Sequence, residues 1–373
     1  MKRMLVLAVT LLLSLPAAAQ SPDHPRNEVS GDRGWKAEWD KLVAAAKKEG
    51  EITMFQSGNP GRRQWLMERW RKDFPDIKID PTMLVGPPML MRIKTEREAG
   101  KYLWDMSIGG PTSLYAEIPN GLLDPLLPEL ILPEVKDEAA WGGWNSAFYD
   151  EPRKYILGVL NDFEPIWYNA KHVPPAEVKA KGVRILLEPA YKGKIVWQEP
   201  RTDGPGTLFA AFLHKVLGDA DYRRLLTEQK PMIFAAGDQA TDAMVRERGL
   251  FFMGPVLSDR LRPYEQAGMK FDMRPLGNDP ESGFLGTDGV SVAVFSKRPH
   301  PNAARLFVNW LLTKQMSREL AEIQQMNSRR ADVAPVTSPD LTAIPGKTYV
   351  EPARAENIGH LRMVQELTRQ LIP

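Results

Sequence analysis

The 373-residue chain has no cysteine. That excludes disulfides and thiolate-built zinc or iron–sulfur sites, and it removes the thiol that lipid attachment at a cleaved N-terminal cysteine needs. Histidine is scarce too. His24, His172, His214, His300 and His360 lie far apart, and none has the i, i+4 spacing of a helical metal pair. There is no G-x-S-x-G elbow, no Walker A loop and no G-x-G-x-x-G turn after a strand. Acidic residues are plentiful but scattered, so no catalytic pair, metal site or cofactor is expected. Neither sign of charge dominates. With 49 basic and 47 acidic side chains and no basic stripe, nucleic acid is not an expected partner. Beyond Leu15 no apolar run is long enough to span a bilayer.

The amino terminus does carry a pattern. Lys2 and Arg3 precede the apolar run Met4 to Leu15, and Pro16-Ala-Ala-Ala19 supplies small residues before Gln20. This is the three-part layout of a secretory signal peptide, with an apolar run too short for a permanent span. Cleavage is expected after Ala19, which places the mature chain in the periplasm. Residues 20–33 read as a polar, flexible leader. About 350 residues remain, more than one hydrophobic core usually organises, so two lobes are expected, without need of disulfides.

Downstream the pattern alternates. Trp35, Trp39, Leu42, Val43 and Ala46 share a helical face, Gly50 stops that helix, and Glu51 to Phe55 reads as a strand. Leu66, Trp70 and Phe74 mark a helix, Ile77 to Ile79 a strand, Met89 to Ala99 a helix and Trp104 to Ile108 a strand. A second block starts near Tyr155 and runs through strands and helices to Arg274. Gly289 to Phe295 is an apolar, β-branched strand leading into a Pro-started helix, Pro301 to Leu312. Helical segments close the chain. Strands separated by helices predict an α/β fold with parallel, doubly wound sheets.

In such sheets ligands bind beyond the carboxyl ends of the strands. Three strand-to-helix turns are rich in glycine and hydroxyls: Ser57-Gly-Asn-Pro-Gly61, Gly109-Gly-Pro-Thr-Ser113 and Arg201-Thr-Asp-Gly-Pro-Gly-Thr207. Each puts free backbone N–H groups at a helix N-terminus, where the macrodipole favours an anion. Ser57, Thr112, Ser113 and Thr207 are the expected hydroxyl contacts. Gly58 and Gly206 would offer N–H groups, and Asn59 a donor or an acceptor. Arg201 is the expected counter-charge. Asp203, awkward against an anion, is expected to cap the helix or to take a hydroxyl or ammonium group. For any one turn, plain loop punctuation is the competing account. Trp141, Trp144, Phe163, Trp167 and Tyr168 gather near the presumed passage between lobes, where ligand stacking and core packing are both open.

Trp39-Asp-Lys-Leu-Val-Ala-Ala-Ala-Lys-Lys-Glu-Gly-Glu-Ile-Thr-Met-Phe55 resembles the first helix and strand of ferric-ion-binding-type solute receptors (extracellular solute-binding family 1). Gly286-Thr-Asp-Gly-Val-Ser-Val-Ala-Val-Phe-Ser-Lys297, followed by His300-Pro-Asn-Ala-Ala-Arg-Leu-Phe-Val-Asn-Trp-Leu-Leu312, is similar to their late crossover strand and helix. The resemblance runs over nearly all of the mature chain. It implies a two-lobed type II periplasmic-binding-protein fold, each lobe a doubly wound sheet flanked by helices, joined by a two-crossover hinge near Leu160 and Gly286. Lobe 1 would comprise 34–160 and 287–338, and lobe 2 161–286 and 339–373. Iron chemistry does not carry over. Iron-binding members present two adjacent tyrosines where this chain has Gly254-Pro-Val-Leu-Ser258, and Asn59 and Gly110 stand where a His and a Glu are usual. A ferric ion wants anionic oxygen donors, which these positions do not offer. Branches lacking the tyrosines resemble receptors for organic anions such as phosphorylated sugars, phosphonates or carboxylates.

The expected function is therefore the periplasmic substrate-binding component of an ABC importer. It would be a non-enzymatic monomer that captures a small anionic solute and passes it to permease subunits in the inner membrane. A secreted hydrolase or transferase on a similar scaffold, and a ligand-presenting sensor subunit, are the competing readings.

Overall fold

The computed structural model describes residues 34–56, 60–84, 86–110, 117–255, 257–286 and 290–372. The expected signal peptide (1–19) and leader (20–33) lie outside them. No described helix is long and apolar enough to cross a membrane.

Fourteen strands are described: β1 (Glu51–Gln56), β2 (Lys78–Met83), β3 (Met106–Gly109), β4 (Leu123–Asp124), β5 (Leu157–Gly158), β6 (Leu160–Pro165), β7 (Trp167–Asn169), β8 (Ile195–Gln198), β9 (Met232–Phe234), β10 (Phe251–Met253), β11 (Met273–Pro275), β12 (Gly283–Gly286), β13 (Ser291–Phe295) and β14 (Asn327–Ser328). They form two large sheets and a small one. The first sheet runs β2-β1-β3-β13-β4, with β5 also on β13; the second runs β11-β7-β10-β8-β9; the third is β12-β6-β14.

Each large sheet is buried on both faces, and strand alternation shows how. Ile52 and Met54 of β1 join the cluster formed with Trp70, Phe307 and Val308, while Phe55 faces Met89, Ile93 and Phe295 on the other side. In the second sheet Ile195, Trp197, Phe251 and Met253 pack with Phe209, Phe212 and Tyr222, whereas Val196 and Phe252 face Ala240, Met244 and Leu257. These separate cores are the two lobes. Burying a side chain such as Phe307 or Phe209 contributes on the order of 1.5–3 kcal/mol.

The purely parallel expectation needs correcting. β1, β2 and β3 are mutually parallel, as are β8, β9 and β10, yet β13 is antiparallel to β3 and β7 is antiparallel to β10. The reason is the route of the chain. β7 follows β6 directly and β13 follows β12, so each enters its sheet from the hinge edge, where the neighbouring parallel strands end.

The chain comes back to the hinge once more. β14 pairs with β6, the Leu285 N–H donates to the Val350 carbonyl at 3.0 Å, and the Ala355 N–H donates to the Tyr149 carbonyl at 3.0 Å. Arg354 fastens this strap by donating to the carbonyls of Ser146 (3.2 Å) and Phe148 (2.9 Å). The closing helix Ala355–Leu371 then packs on helix Pro205–Leu217 of the second lobe. The aromatic residues near the passage mostly serve packing. Trp141 is buried in the first core with its Nε1 donating to the Val135 carbonyl, and Phe163 meets Tyr349 edge-on at 5.6 Å.

Candidate functional site

The strand registers bring two sheet edges to the hinge. In the first lobe β1 ends at Gln56 and β3 at Gly109, and Ser291 opens β13 opposite Gly109. In the second lobe β8 ends at Gln198, β9 at Phe234 and β10 at Met253, and Phe252 lies opposite Trp167 at the start of β7. β5 and β7 flank β6, so the hinge strand runs between the two edges. A pocket of about 390 Å³, open space at its mouth included, lies along it and is lined in part by Asp162, Glu164, Trp167, Phe209, Gly254 and Gln325. Helices Pro60–Asp73, Pro205–Leu217, Gly237–Val245 and Leu257–Gln266 each begin just after one of these strand ends. No side chain caps the N-termini of helices Pro205–Leu217 and Gly237–Val245, which lie at the second lobe's edge.

Polar side chains at these edges are buried and unspent. Gln56 is 0% exposed, and neither its Oε1 nor its Nε2 has a hydrogen-bond partner. The Ser291 hydroxyl is equally buried and unpartnered, the Thr207 hydroxyl is unpartnered in a residue 2% exposed, and Gln198 Oε1 has no partner either. Burying an amide or hydroxyl without a hydrogen bond costs roughly 1–3 kcal/mol in proteins. Gln56 and Ser291 bring such groups to the first edge, and Gln198 and Thr207 bring them to the second. The sequence reading missed Gln56, Gln198 and Ser291. A glutamine closing an apolar strand just before a glycine-rich turn is the signal that was available.

Gly206 has a demanding position. A Cβ there would lie 2.1 Å from the Gln198 carbonyl oxygen and 2.6 Å from that of Glu199, and the Trp197 indole donates to the Gly206 carbonyl at 3.0 Å. The absent side chain lets the first turn of helix Pro205–Leu217 sit directly on the end of β8. Thr207 follows in that turn.

Arg201 and Asp203 are engaged with neighbours. Arg201 grips the Glu199 carboxylate through Nε and Nη2, both at 2.8 Å, and Nη1 reaches the Ile372 carbonyl at 3.3 Å. Accepting these bonds holds the Glu199 carboxyl below its ordinary range, against the opposing effect of burial. Asp203 is bound by Arg362 and by Gln365 (3.2 Å). Burial would raise the Asp203 carboxyl, but the Arg362 contact prevails and lowers it. Arg369 donates to the Arg201 carbonyl at 2.8 Å. The turn before Gly206 is thus strapped to the closing helix. Ser57, Gly58, Asn59, Thr112 and Ser113 lie outside the described residues.

Asp162 and Glu164 project from the same face of β6 and are 6% and 7% exposed. A Cβ on Gly286 of β12 would stand 2.2 Å from Glu164 Oε1 and 2.9 Å from Asp162 Oδ1, so both carboxylates press on the backbone of the partner hinge strand. Among the described residues no group of three or more His, Asp or Glu is arranged to hold a metal.

The chain resembles known proteins in both sequence and shape. The family model described as bacterial extracellular solute-binding protein matches residues 65–346. Iron-bound HitA from Pseudomonas aeruginosa superposes with a TM-score of 0.62 at 16% identity, over 87% of this chain and 99% of that one. The GacH receptor of Streptomyces glaucescens, solved unliganded and with acarbose, gives 0.63 at 16% identity over 87% and 93%. A putative extracellular solute-binding protein from Bordetella parapertussis gives 0.63 at 15% identity over 87% and 100%. No curated protein sequence matches the chain.

Proposed function

Because the chain belongs to the bacterial extracellular solute-binding protein family, we propose that it captures a small anionic organic solute between its lobes and delivers it to the permease subunits of an ABC importer. The protein works as a periplasmic monomer, freed by cleavage after Ala19, and as a receptor without catalytic turnover. Its lobes are 34–160 with 287–338 and 161–286 with 339–373, and they close on the solute about the β6–β12 hinge. Closure needs better solute contacts in the closed state than in the open one.

The observation that carries this reading is the buried, unpartnered Thr207 hydroxyl in the first turn of helix Pro205–Leu217. A donor hydroxyl in the first turn of a helix, at the positive end of its macrodipole, suits an anionic oxygen. Ser57, Gly58, Asn59, Thr112 and Ser113 face the solute from the other lobe in this proposal. Gln56, Gln198, Asp162 and Glu164 take its hydroxyl or ammonium groups. Arg201 serves as counter-charge by giving up part of its pairing with Glu199 as the solute binds. A solute with an anionic head and a hydroxylated body, such as a phosphorylated sugar, meets both demands.

A thermal-shift screen on ligand-stripped protein tests this, with sugar phosphates, phosphonates, carboxylates, neutral sugars, polyamines and ferric citrate. A ligand at about 100 times its dissociation constant adds roughly 2.7 kcal/mol of stability. The expected result is a shift with one anionic class, lost in Thr207→Val. No shift with any anion, or a shift confined to neutral sugars or cations, overturns the anionic assignment.

A further inference from the structure

Helices Pro205–Leu217 and Ala355–Leu371 meet through two imidazoles. His214 Nδ1 lies 3.0 Å from His360 Nε2, and Asp219 Oδ1 lies 3.4 Å from the other ring nitrogen of His214. Around this pair the Tyr222 hydroxyl pairs with Thr368 Oγ1 at 2.6 Å, and Lys215 Nζ donates to Asn357 at 3.3 Å. Further along, the closing helix grips the turn before Gly206 through Arg362 and Gln365 on Asp203 and Arg369 on the Arg201 carbonyl.

Two ring nitrogens at this distance share one proton between them. One donates, and the other must keep its lone pair. We propose that the His214–His360 contact is an acid-sensitive latch. It holds the closing helix on the second lobe while at least one ring is neutral, and it opens when both rings are protonated. Two imidazolium ions would then face each other where a hydrogen bond had been.

The surrounding charges favour opening. Helix Pro205–Leu217 contributes the Lys215 ammonium beside the pair. Helix Asp219–Thr227 contributes the Asp219 carboxylate, but Arg223 already holds it at 2.7 Å, and the neutral Tyr222 ring lies 5.4 Å from His214. On the closing helix itself Glu356 is paired with Arg354 and Arg153. Burial first, and then the charges of His214 and Lys215, hold His360 below its ordinary 6.5. The docked helix therefore disfavours the proton. Docking loses free energy as pH falls below that value, by up to about tenfold in its equilibrium per pH unit for each excluded proton. If the receptor reading above holds, loosening the 199–204 turn lets solute go in acid.

The latch can be tested without any solute, so a flat solute screen leaves this readout untouched. Hydrogen exchange of the full mature protein is measured between pH 5 and 7.5, corrected for the intrinsic rate. Peptides from Ala355–Leu371 are compared with peptides from Pro301–Leu311. The closing helix should lose protection as pH falls below about 6.5, by no more than about tenfold per pH unit, while the reference helix holds. In His360→Gln the amide still donates to His214 but takes no proton, so the slope should vanish. His214→Gln should behave the same way and serves if the first variant does not fold. Thr368→Val removes a neighbouring contact and should lower protection equally at every pH. A slope that persists in either glutamine variant, or no slope in the wild type, overturns the latch.

Discussion

Replacing Glu117 by glutamine should remove a large pH-dependent component of stability. Glu117 is 0% exposed, and neither carboxylate oxygen has a hydrogen-bond partner. The closest compensating charge, Arg97, is itself occupied, donating to the Ser296 carbonyl at 2.7 Å and hydroxyl at 3.1 Å. Burial therefore outweighs the Arg97 attraction and pushes the carboxyl up from 4.5 to about 8. The folded protein keeps a proton there that the unfolded chain gives up near pH 4.5, so folding binds a proton and stability falls as pH rises. Each pH unit in that window is worth about 1.36 kcal/mol, which amounts to about 3 kcal/mol lost by pH 7. Above about pH 8 the loss levels off, because both states are then ionised.

Urea unfolding followed by tryptophan fluorescence at pH 5, 6, 7 and 8 measures this directly. The quantity to plot is the stability of Glu117→Gln minus that of the wild type. Its absolute sign is not the test, since a buried amide without partners also costs roughly 1–3 kcal/mol. Its slope is. The difference should climb by about 1.4 kcal/mol per pH unit from pH 5 and flatten near pH 8. Parallel pH curves for the two proteins would falsify the claim that Glu117 is an uncompensated buried acid. Glu117 directly follows residues 111–116, which carry the proposed contacts Thr112 and Ser113.

Two further substitutions separate structural from binding roles. Gly206→Ala should destabilise by about 1–3 kcal/mol, because its methyl meets fixed carbonyl oxygens at 2.1 and 2.6 Å. That cost exceeds the ~1 kcal/mol that alanine gains over glycine in a helix, and a melting point equal to wild type would show that the turn relaxes freely. Gln56→Leu should raise the stability of the empty protein by about 1–3 kcal/mol, since it replaces an unpartnered buried amide with an apolar side chain of similar size. A less stable variant in urea unfolding would mean that the amide already has a partner, such as a buried water.

What the sequence could reveal depended on how far each constraint reaches along the chain. Strand β1 was legible because Ile52, Met54 and Phe55 alternate within one short segment, and helix Pro301–Leu311 because proline opens it and its apolar residues recur at helical spacing. Both patterns report burial through neighbours in sequence. The reversed directions of β7 and β13 were not legible, since they depend on the edge from which the chain enters a sheet assembled from distant segments. The surroundings of Arg201 and Asp203 were hidden for the same reason. Asp203 meets Arg362 across 159 positions, and no local feature shows that the closing helix lies there.

Glycine brought a different ambiguity. Gly206 drew attention as a place where backbone can approach a ligand, and the structure shows it approaching the carbonyls of Gln198 and Glu199 instead. The two uses are compatible, because the close approach is what seats the helix terminus on the strand end and puts Thr207 at the sheet edge. A glycine motif thus marked a turn where backbone approaches backbone closely. The chemistry at that turn belongs to its neighbours, and burial of Gln56, Gln198, Thr207 and Ser291 without partners became visible only once the strand ends were placed in space.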